Sequence, residues 1–544
     1  MTTVALLVDV ADAALAEAAA GLADYLRHCG LMVGRQLTPG AVTVVVADRP
    51  PDDSLLERLL GATGTGSLLL AGPTLHAFRD KAALTDLLGV LPGARMREHE
   101  VRLRPGPAGG VLCARMGPEV LFTDRWVQLD KVADDVAVLL TASAGLSQHP
   151  VLTSRRTVGG GCVGVLTVGE RAGTVASPAY RRWVHRWVSA AVGATEDPSV
   201  RVGMLGYGAV GVEHVTALRQ VDGLQLAGVC DLDPDRVAAI RIVAPEVAVY
   251  DDAATLLDSR ELDLIIVSTP PSSHADWALR ALERGKSVVV EKPLCLTLAE
   301  ADDMIETAEA RGLVLACYQN RRWDSDYLAL KHAVRSGAVG QVFSYSSFVG
   351  DYGHPCNYWH SDAAVSGGAV YDWGSHFLDW TLDLLPQDID YVTAHENKLV
   401  WHDVTNADHT RVTVHFADGA EAEFVHSDLA AAPKPKWHLL GTRGALVGSW
   451  RRSSVLSRDA VGCLAEDRLQ LAESPAAVTL HSADGAVTAL AMPPRPTMPF
   501  HTELADLLLT GEPMSVTPQG SRRCVAVMAA ATASIRLGGR PVVP

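Results

Sequence analysis

Gly206-Tyr207-Gly208-Ala209-Val210-Gly211 is the stretch whose reading decides this chain. It follows the largely apolar run Val200-Arg201-Val202-Gly203-Met204-Leu205 and leads into Val212-Glu213-His214-Val215-Thr216-Ala217-Leu218, the order of a strand, a glycine turn and a helix. Each glycine has a separate task. Gly206 permits the tight turn, Gly208 lets backbone come close to a ligand, and Gly211 lets the helix pack on the strand. The amides that open the helix, at Ala209 and Val210, then face a pyrophosphate. A turn of this kind also occurs as plain packing, and 47 glycines make chance matches common. Support comes from Leu226-Ala227-Gly228-Val229-Cys230, a second strand that ends in Asp231, twenty residues after Gly211. An acid there pairs with ribose hydroxyls and repels an added phosphate, so the expected cofactor is NAD rather than NADP.

Such a turn usually lies near an N-terminus, whereas here about 200 residues precede it. A length of 544 residues fits about three domains. A composition of 48% hydrophobic and 20% charged residues is that of a globular protein in water, and a net charge of −16 argues against nucleic acid or an anionic membrane as the main partner. Met1 to Asp9 lacks a basic leader and reads as a first strand. Nine cysteines without a C-x-x-C pair argue against a disulfide framework or a structural zinc site, which makes the cytoplasm the expected location.

Residues 1–196 alternate apolar strands (Val4–Val8, Val42–Ala47, Ser67–Ala71, Val136–Leu140, Cys162–Thr167) with helices such as Ala11–Cys29 and Pro178–Val192. Continuous apolar runs of this length predict a parallel sheet covered on both faces, a flavodoxin-like three-layer α/β domain. Phe122-Thr123-Asp124, His149-Pro150-Val151, Gly159-Gly160-Gly161, Val168-Gly169 and Ala179-Tyr180-Arg181-Arg182 resemble the ThuA-like branch of the class I glutamine-amidotransferase-like fold. Catalysis on that fold requires a cysteine at a strand-to-helix elbow with a histidine partner. The elbow here reads Leu70-Ala71-Gly72-Pro73-Thr74, and Glu170 stands where ThuA-like proteins commonly carry a histidine, so the domain is expected to be non-catalytic.

Gly193-Ala194-Thr195-Glu196-Asp197-Pro198-Ser199 reads as a linker into a dinucleotide domain over 199–322. Strands near Val247–Tyr250, Leu264–Val267, Val288–Val290 and Leu313–Cys317 complete a Rossmann doubly wound parallel sheet, whose ligands gather at the carboxyl ends of strands. Three polar groups lie at those ends: Ser268-Thr269-Pro270-Pro271-Ser272-Ser273-His274, Val290-Glu291-Lys292-Pro293 and Tyr318-Gln319-Asn320-Arg321-Arg322-Trp323. Lys292 is placed to donate to a substrate oxygen; alternatively it forms a salt bridge with Glu291.

The order of these pieces resembles the Gfo/Idh/MocA oxidoreductases from about residue 200 to the C-terminus. The resemblance implies a C-terminal substrate domain over 323–544 with a large, mostly antiparallel sheet through which the family commonly forms homo-oligomers. Asp418-Gly419 and Asp484-Gly485, each between alternating strands, signal two hairpins with type I′ turns. In Gly367-Gly368-Ala369-Val370-Tyr371-Asp372-Trp373-Gly374-Ser375-His376-Phe377-Leu378-Asp379-Trp380, a helix after the glycine pair places Asp372 and His376 on one face. On spacing alone they serve as orienter and general base, as metal ligands, or as a solvated face. The family pattern G-G-x-x-x-D-x-G-x-H-x-x-D matches here and implies the acid–base role without metal, with Lys292 as the third catalytic group and Asp379 in support.

On this reading Gly206, Gly208, Ala209, Val210, Gly211, Asp231, Thr269, Pro270, His274, Glu291, Lys292 and Asn320 hold the cofactor. Arg321, Arg322, Trp323, Tyr358, Trp359, His360 and Trp373 wall the substrate pocket. His360 departs from the family, where arginine often follows the tryptophan. The expected activity is NAD-dependent hydride transfer with a small polyhydroxylated molecule, a sugar or cyclitol. Redox-assisted glycoside cleavage or elimination, imine reduction, and a non-enzymatic binding scaffold are the competing readings.

Overall fold

The computed structural model describes residues 2–113, 116, 119–144, 147–193, 199–356, 358–451, 454–458, 464–469 and 475–544. Residues 194–198 of the expected linker lie outside the described residues. The chain forms two compact units, Met1–Pro198 with Ala505–Pro513, and Ser199–Leu504 with Met514–Pro544.

In the first unit a nine-stranded sheet has helices on both faces. Its parallel half runs Met32–Gly34, Thr3–Asp9, Val42–Ala47, Ser67–Ala71 and Cys162–Leu166. The expected all-parallel sheet is corrected here. Ser147–Arg156, Ala137–Ala144, His99–Pro105 and Val120–Asp124 extend it antiparallel. Val136–Leu140 marks Ala137–Ala144 as a strand without giving its direction, whereas His99–Pro105 escapes the apolar-run criterion because it alternates: only Val101 and Leu103 are buried, between exposed arginines and Glu100. The first helix, Ala13–His28, starts where the Asp12 carboxylate accepts the Leu15 amide, and buries Leu15, Ala18, Ala19, Leu22 and Leu26 at helical spacing.

Ala505–Pro513, read from sequence as part of the substrate domain, belongs to this unit. The reason is ionic. Glu512, fully buried, accepts from Arg182 Nε at 2.9 Å and Arg186 Nε at 3.1 Å, while Arg186 Nη2 also donates to Asp506 at 3.0 Å. Partners hold the Glu512 carboxyl below its ordinary range although burial opposes them; His185 and Arg186 lead. Charges this deep are tolerated only when paired.

In the second unit, six parallel strands stand in the order Ala248–Val249, Leu224–Cys230, Val200–Leu205, Leu264–Val267, Ser287–Glu291, Leu315–Tyr318, the doubly wound arrangement read from the sequence. A second sheet of eight strands is antiparallel except where Val342–Gly350 pairs parallel with Glu421–Ser427, as expected of a mostly antiparallel sheet. One continuous core joins both sheets, from Leu205 and Ile265 through Trp380 to Trp437 and Leu446. The two hairpin turns differ from expectation. Only Gly419 and Gly485 take positive φ, at 85° and 87°, and the closing bonds run from Phe416 N to Ala420 O and Ser482 N to Ala486 O. Each loop therefore has three residues with glycine in the left-handed position, not a two-residue type I′ turn.

Candidate active site

The glycine turn takes the geometry its residues allow. Gly206 has φ +92°, and a Cβ there would lie 2.3 Å from the Ser268 carbonyl oxygen. A Cβ on Gly211 would come 3.1 Å from the Gly206 oxygen, the close helix–strand approach expected of the third glycine. Gly208 caps the helix Ala209–Gln220 without any side-chain acceptor, which leaves the opening amides for an anion. Asp231 ends its strand as read, but its carboxylate first serves the turn: Oδ2 accepts the Tyr207 amide at 2.6 Å and Oδ1 the Asp233 amide at 2.9 Å. Arg236 Nη1 stands 3.8 Å from Asp231 and would lie 3.3 Å from a Cβ on Gly208.

Two cavities meet beside the turn. One, of about 590 Å³, is lined by Gly208, Ala209, Val210, Arg236, Thr269, Pro270, Trp359 and others. The other, of about 460 Å³, is lined by Asn320, Arg321, Trp373, His376 and Arg495 among others. Val210, Glu291, Lys292, Tyr358, His360 and Asp372 line both. The sequence reading placed cofactor residues on one side and catalytic residues on the other, and the fold makes those sides adjoin.

Lys292, at a cis peptide bond to Pro293, donates to Asp372 Oδ1 at 2.8 Å and to the Asp372 carbonyl at 3.3 Å. It does not pair with Glu291, whose Oε1 accepts instead from His214 Nε2 at 2.6 Å. Burial pushes the Asp372 carboxyl up, but the Lys292 ammonium and His360, its Nδ1 3.7 Å away, hold it well below the carboxylate range. His360 is stacked on Trp359 at 3.7 Å between ring centroids.

His376 is 5% exposed, and its Nδ1 has no hydrogen-bond partner in the protein. Burial first, then Lys292 and Arg321, keep it well below the ordinary histidine value against the opposing pull of Asp372. It is therefore a neutral imidazole, and the residue lines the second cavity. The expected Asp372–His376 pair on one helix face is corrected. The helix begins at Trp373, Asp372 sits at its N-cap with φ −77° and ψ −86°, and its carboxylate turns to Lys292. Among the described residues no cluster of three or more His, Cys, Asp or Glu is arranged to hold a metal.

Other site residues fall elsewhere than read. His274 is buried and lines neither cavity; its ring nitrogens lie 2.8 Å from the Thr269 and Pro293 carbonyls, so it ties the two loops together. Arg322 forms a two-pronged pair with Asp379 at 2.6 and 2.7 Å and does not reach the cavity. Asn320 lines the His376 cavity rather than the one at the turn, and Trp323 packs 6.4 Å from Phe500 on a third cavity. Arg321 is in place, its guanidinium 5.3 Å from the Trp373 ring. Arg236, Ser366, Cys356, Asp324 and Arg495 line the cavities without having been read. Arg236, five residues after Asp231, was within reach of a sequence argument. Arg495, in the irregular segment Met492-Pro493-Pro494-Arg495-Pro496, carried no periodic signal.

Two family models match the second unit. That of an oxidoreductase family with an NAD-binding Rossmann fold matches residues 200–319, and that of the Gfo/Idh/MocA C-terminal domain matches 327–447. The uncharacterized oxidoreductase YdgJ of Escherichia coli is 31% identical over 46% of this chain and 71% of its own length. The scyllo-inositol 2-dehydrogenase (NADP(+)) IolW of Bacillus subtilis is 29% identical over 35% of this chain and 53% of its own. With a Schizosaccharomyces pombe oxidoreductase included, the chain spans between 40% and 71% of these curated relatives. A solved NAD-binding protein of Listeria innocua shares the fold at 23% identity and a TM-score of 0.53, over 63% of this chain and 97% of that one.

Proposed function

The chain belongs to the Gfo/Idh/MocA oxidoreductases, and on that premise we propose that it transfers hydride between a nicotinamide cofactor and a carbinol or ketone carbon of a sugar, cyclitol or related polyhydroxylated substrate. The single observation that carries the reading is that Lys292, Asp372 and His376 line one cavity, which shares Lys292 and Asp372 with the glycine-turn cavity. The turn fits a dinucleotide: a Cβ at Gly206 would clash, and the uncapped helix N-terminus offers its amides to phosphate. Gly208, Ala209, Val210, Thr269 and Pro270 would hold the cofactor, with Asp231 at the ribose end. When bound, the nicotinamide supplies the hydride acceptor or donor.

The chain's own groups then divide the work. His376 takes the hydroxyl proton in oxidation or returns it in reduction. Lys292 donates to the substrate oxygen as negative charge develops there, and Asp372 fixes the ammonium. Trp359, His360, Tyr358 and Trp373 give the pocket flat walls against a ring. Inositol dehydrogenases among the relatives favour a cyclitol or sugar substrate. NAD remains the preferred cofactor on the strength of Asp231, with Arg236 beside it as the group that would accept the NADP phosphate. The test is purified protein with NAD or NADP and a panel of sugars and cyclitols, followed by NADH or NADPH absorbance. No binding of either cofactor and no turnover, with Lys292→Ala indistinguishable from wild type, would sink the proposal.

We read the first unit as ThuA-like and non-catalytic. Its elbow is formed, with Gly72 at φ +62°, but Thr74 Oγ1 is engaged by the Val45 and Ala71 carbonyls, and Glu170 is bound by Arg95 at 3.0 Å. Neither is available as nucleophile or base. We also assign a homo-oligomer formed through the eight-stranded sheet, and a cytoplasmic location. No helix among the described residues is long and apolar enough to cross a membrane.

A further inference from the structure

Three titratable side chains that hydride transfer leaves without a task stand in single file. Glu291, 7% exposed, lines both cavities next to Lys292. Its Oε1 is 2.6 Å from Nε2 of His214, a fully buried residue on the glycine-turn helix. His214 Nδ1 is 2.9 Å from Nε2 of His501, which is 1% exposed and lines a third cavity of about 240 Å³ together with Glu213 and Arg495. Tyr318 closes the flank of the file, its ring 4.4 Å from His214 and 5.3 Å from His501.

The partners fix the tautomers. A carboxylate only accepts, so His214 carries its hydrogen on Nε2. When the His214 ring is neutral its Nδ1 is an acceptor, and His501 donates from Nε2. Burial, with His214 beside it, holds His501 well below the ordinary histidine range, so the His501 ring is neutral at rest. With both rings neutral, every hydrogen in the file points toward Glu291.

We propose that His501, His214 and Glu291 conduct a proton from the third cavity to the wall shared by the two active-site cavities, and that their resting orientation suits reduction. This rests on the hydride-transfer reading. In reduction the carbonyl carbon receives hydride from the reduced nicotinamide and the oxygen receives a proton from the imidazolium form of His376, which returns to the neutral ring. Water in the third cavity gives a proton to His501 Nδ1, the Nε2 proton of His501 moves to His214 Nδ1, and the Nε2 proton of His214 moves to Glu291; water in the cavity that Glu291 and His376 both line carries it on to His376. One hop per link delivers the proton and leaves each ring with its hydrogen on Nδ1, so both rings exchange tautomer before the next inward transfer. Outward conduction, needed for oxidation, first requires both rings to exchange tautomer.

The deciding variant is His501→Gln, whose amide still donates to His214 Nδ1 but cannot relay a proton. The expected result is unchanged thermal stability and unchanged cofactor affinity by fluorescence titration, with reductive kcat about tenfold lower and a larger solvent deuterium isotope effect. If His501→Gln matches wild type in both while only His501→Phe fails, the file is structural and the proposal falls. If the wild type reduces nothing in the panel, the hydride-transfer reading fails separately. The file is then judged by histidine-selective nitrogen NMR of the full chain. Nε2-protonated His214 and His501, with the His214 signal changed by Glu291→Gln, support it; Nδ1-protonated His214 overturns it.

Discussion

Replacing Lys292 with methionine keeps the stem and removes the ammonium. In the wild type Nζ lies 2.8 Å from Asp372 Oδ1, and at an effective dielectric near 20 two unit charges at that distance attract by about 6 kcal/mol. The side chains are 18% and 24% exposed, so water screens part of this and relieves part of the desolvation. Stranding the Asp372 carboxylate should cost about 3 kcal/mol of stability, the lower end for a broken buried pair. The Asp372 carboxyl is depressed in the folded protein, so the pair's contribution is present above the unfolded value near pH 4 and is lost as pH falls through the folded one. Lys292→Met should therefore narrow the stability gap to wild type only in strong acid. The effect on catalysis is separate, because Lys292 also donates to the substrate oxygen. Loss of one such donor lowers kcat by about 10²–10³-fold, with cofactor affinity nearly unchanged. Steady-state kinetics on whichever substrate the wild type uses, beside a cofactor titration and thermal melts, separates the two effects. Retention of kcat/KM within about threefold would refute the assigned role.

His376→Asn should lower kcat by about 10²–10⁴-fold, and because burial and neighbouring cations depress its imidazole, the acid limb of the wild-type pH–rate profile should fall below the ordinary histidine range rather than within it. Arg236→Ala should raise KM for NADP by about tenfold while leaving that for NAD nearly unchanged, read directly from the two cofactor titrations. Glu512→Gln leaves Arg186 and His185 short of a buried anion and should destabilise the first unit by about 3–5 kcal/mol by calorimetry. Its folded pKa is lowered, so the difference from wild type should shrink as pH falls below the unfolded glutamate value near 4.3.

The legible parts of the fold were those with strong periodicity. The Rossmann strands are apolar runs bounded by turn residues, and the glycine turn declares itself because its backbone excludes a side chain. Among the antiparallel strands of the first unit, His99–Pro105 alternates with arginine and looks like surface, while the apolar run Val136–Leu140 shows a strand but not its direction. At the site, Lys292, His376 and Trp373 were legible as residues, but their partnerships were not. Helical spacing joined Asp372 to His376, whereas one residue of cap geometry turns Asp372 to Lys292. Arg322 looked like a ligand for substrate because guanidinium groups at strand ends often are; its true partner, Asp379, is a long-range contact that no local pattern shows. His501 became visible only when the fold set it beside His214.

The membership of Ala505–Pro513 in the first unit bears on how the chain is made. A ribosome releases residues 1–198 long before Glu512, so during most of synthesis Arg186 and His185 lack the buried anion that closes their cluster. The N-terminal unit begins first but is complete only at Pro513, after most of the second unit has been made, against the usual vectorial order in which an N-terminal domain folds as soon as it emerges. A single protease cut between the two units cannot release an intact first one, and expression of 1–198 alone omits part of its core.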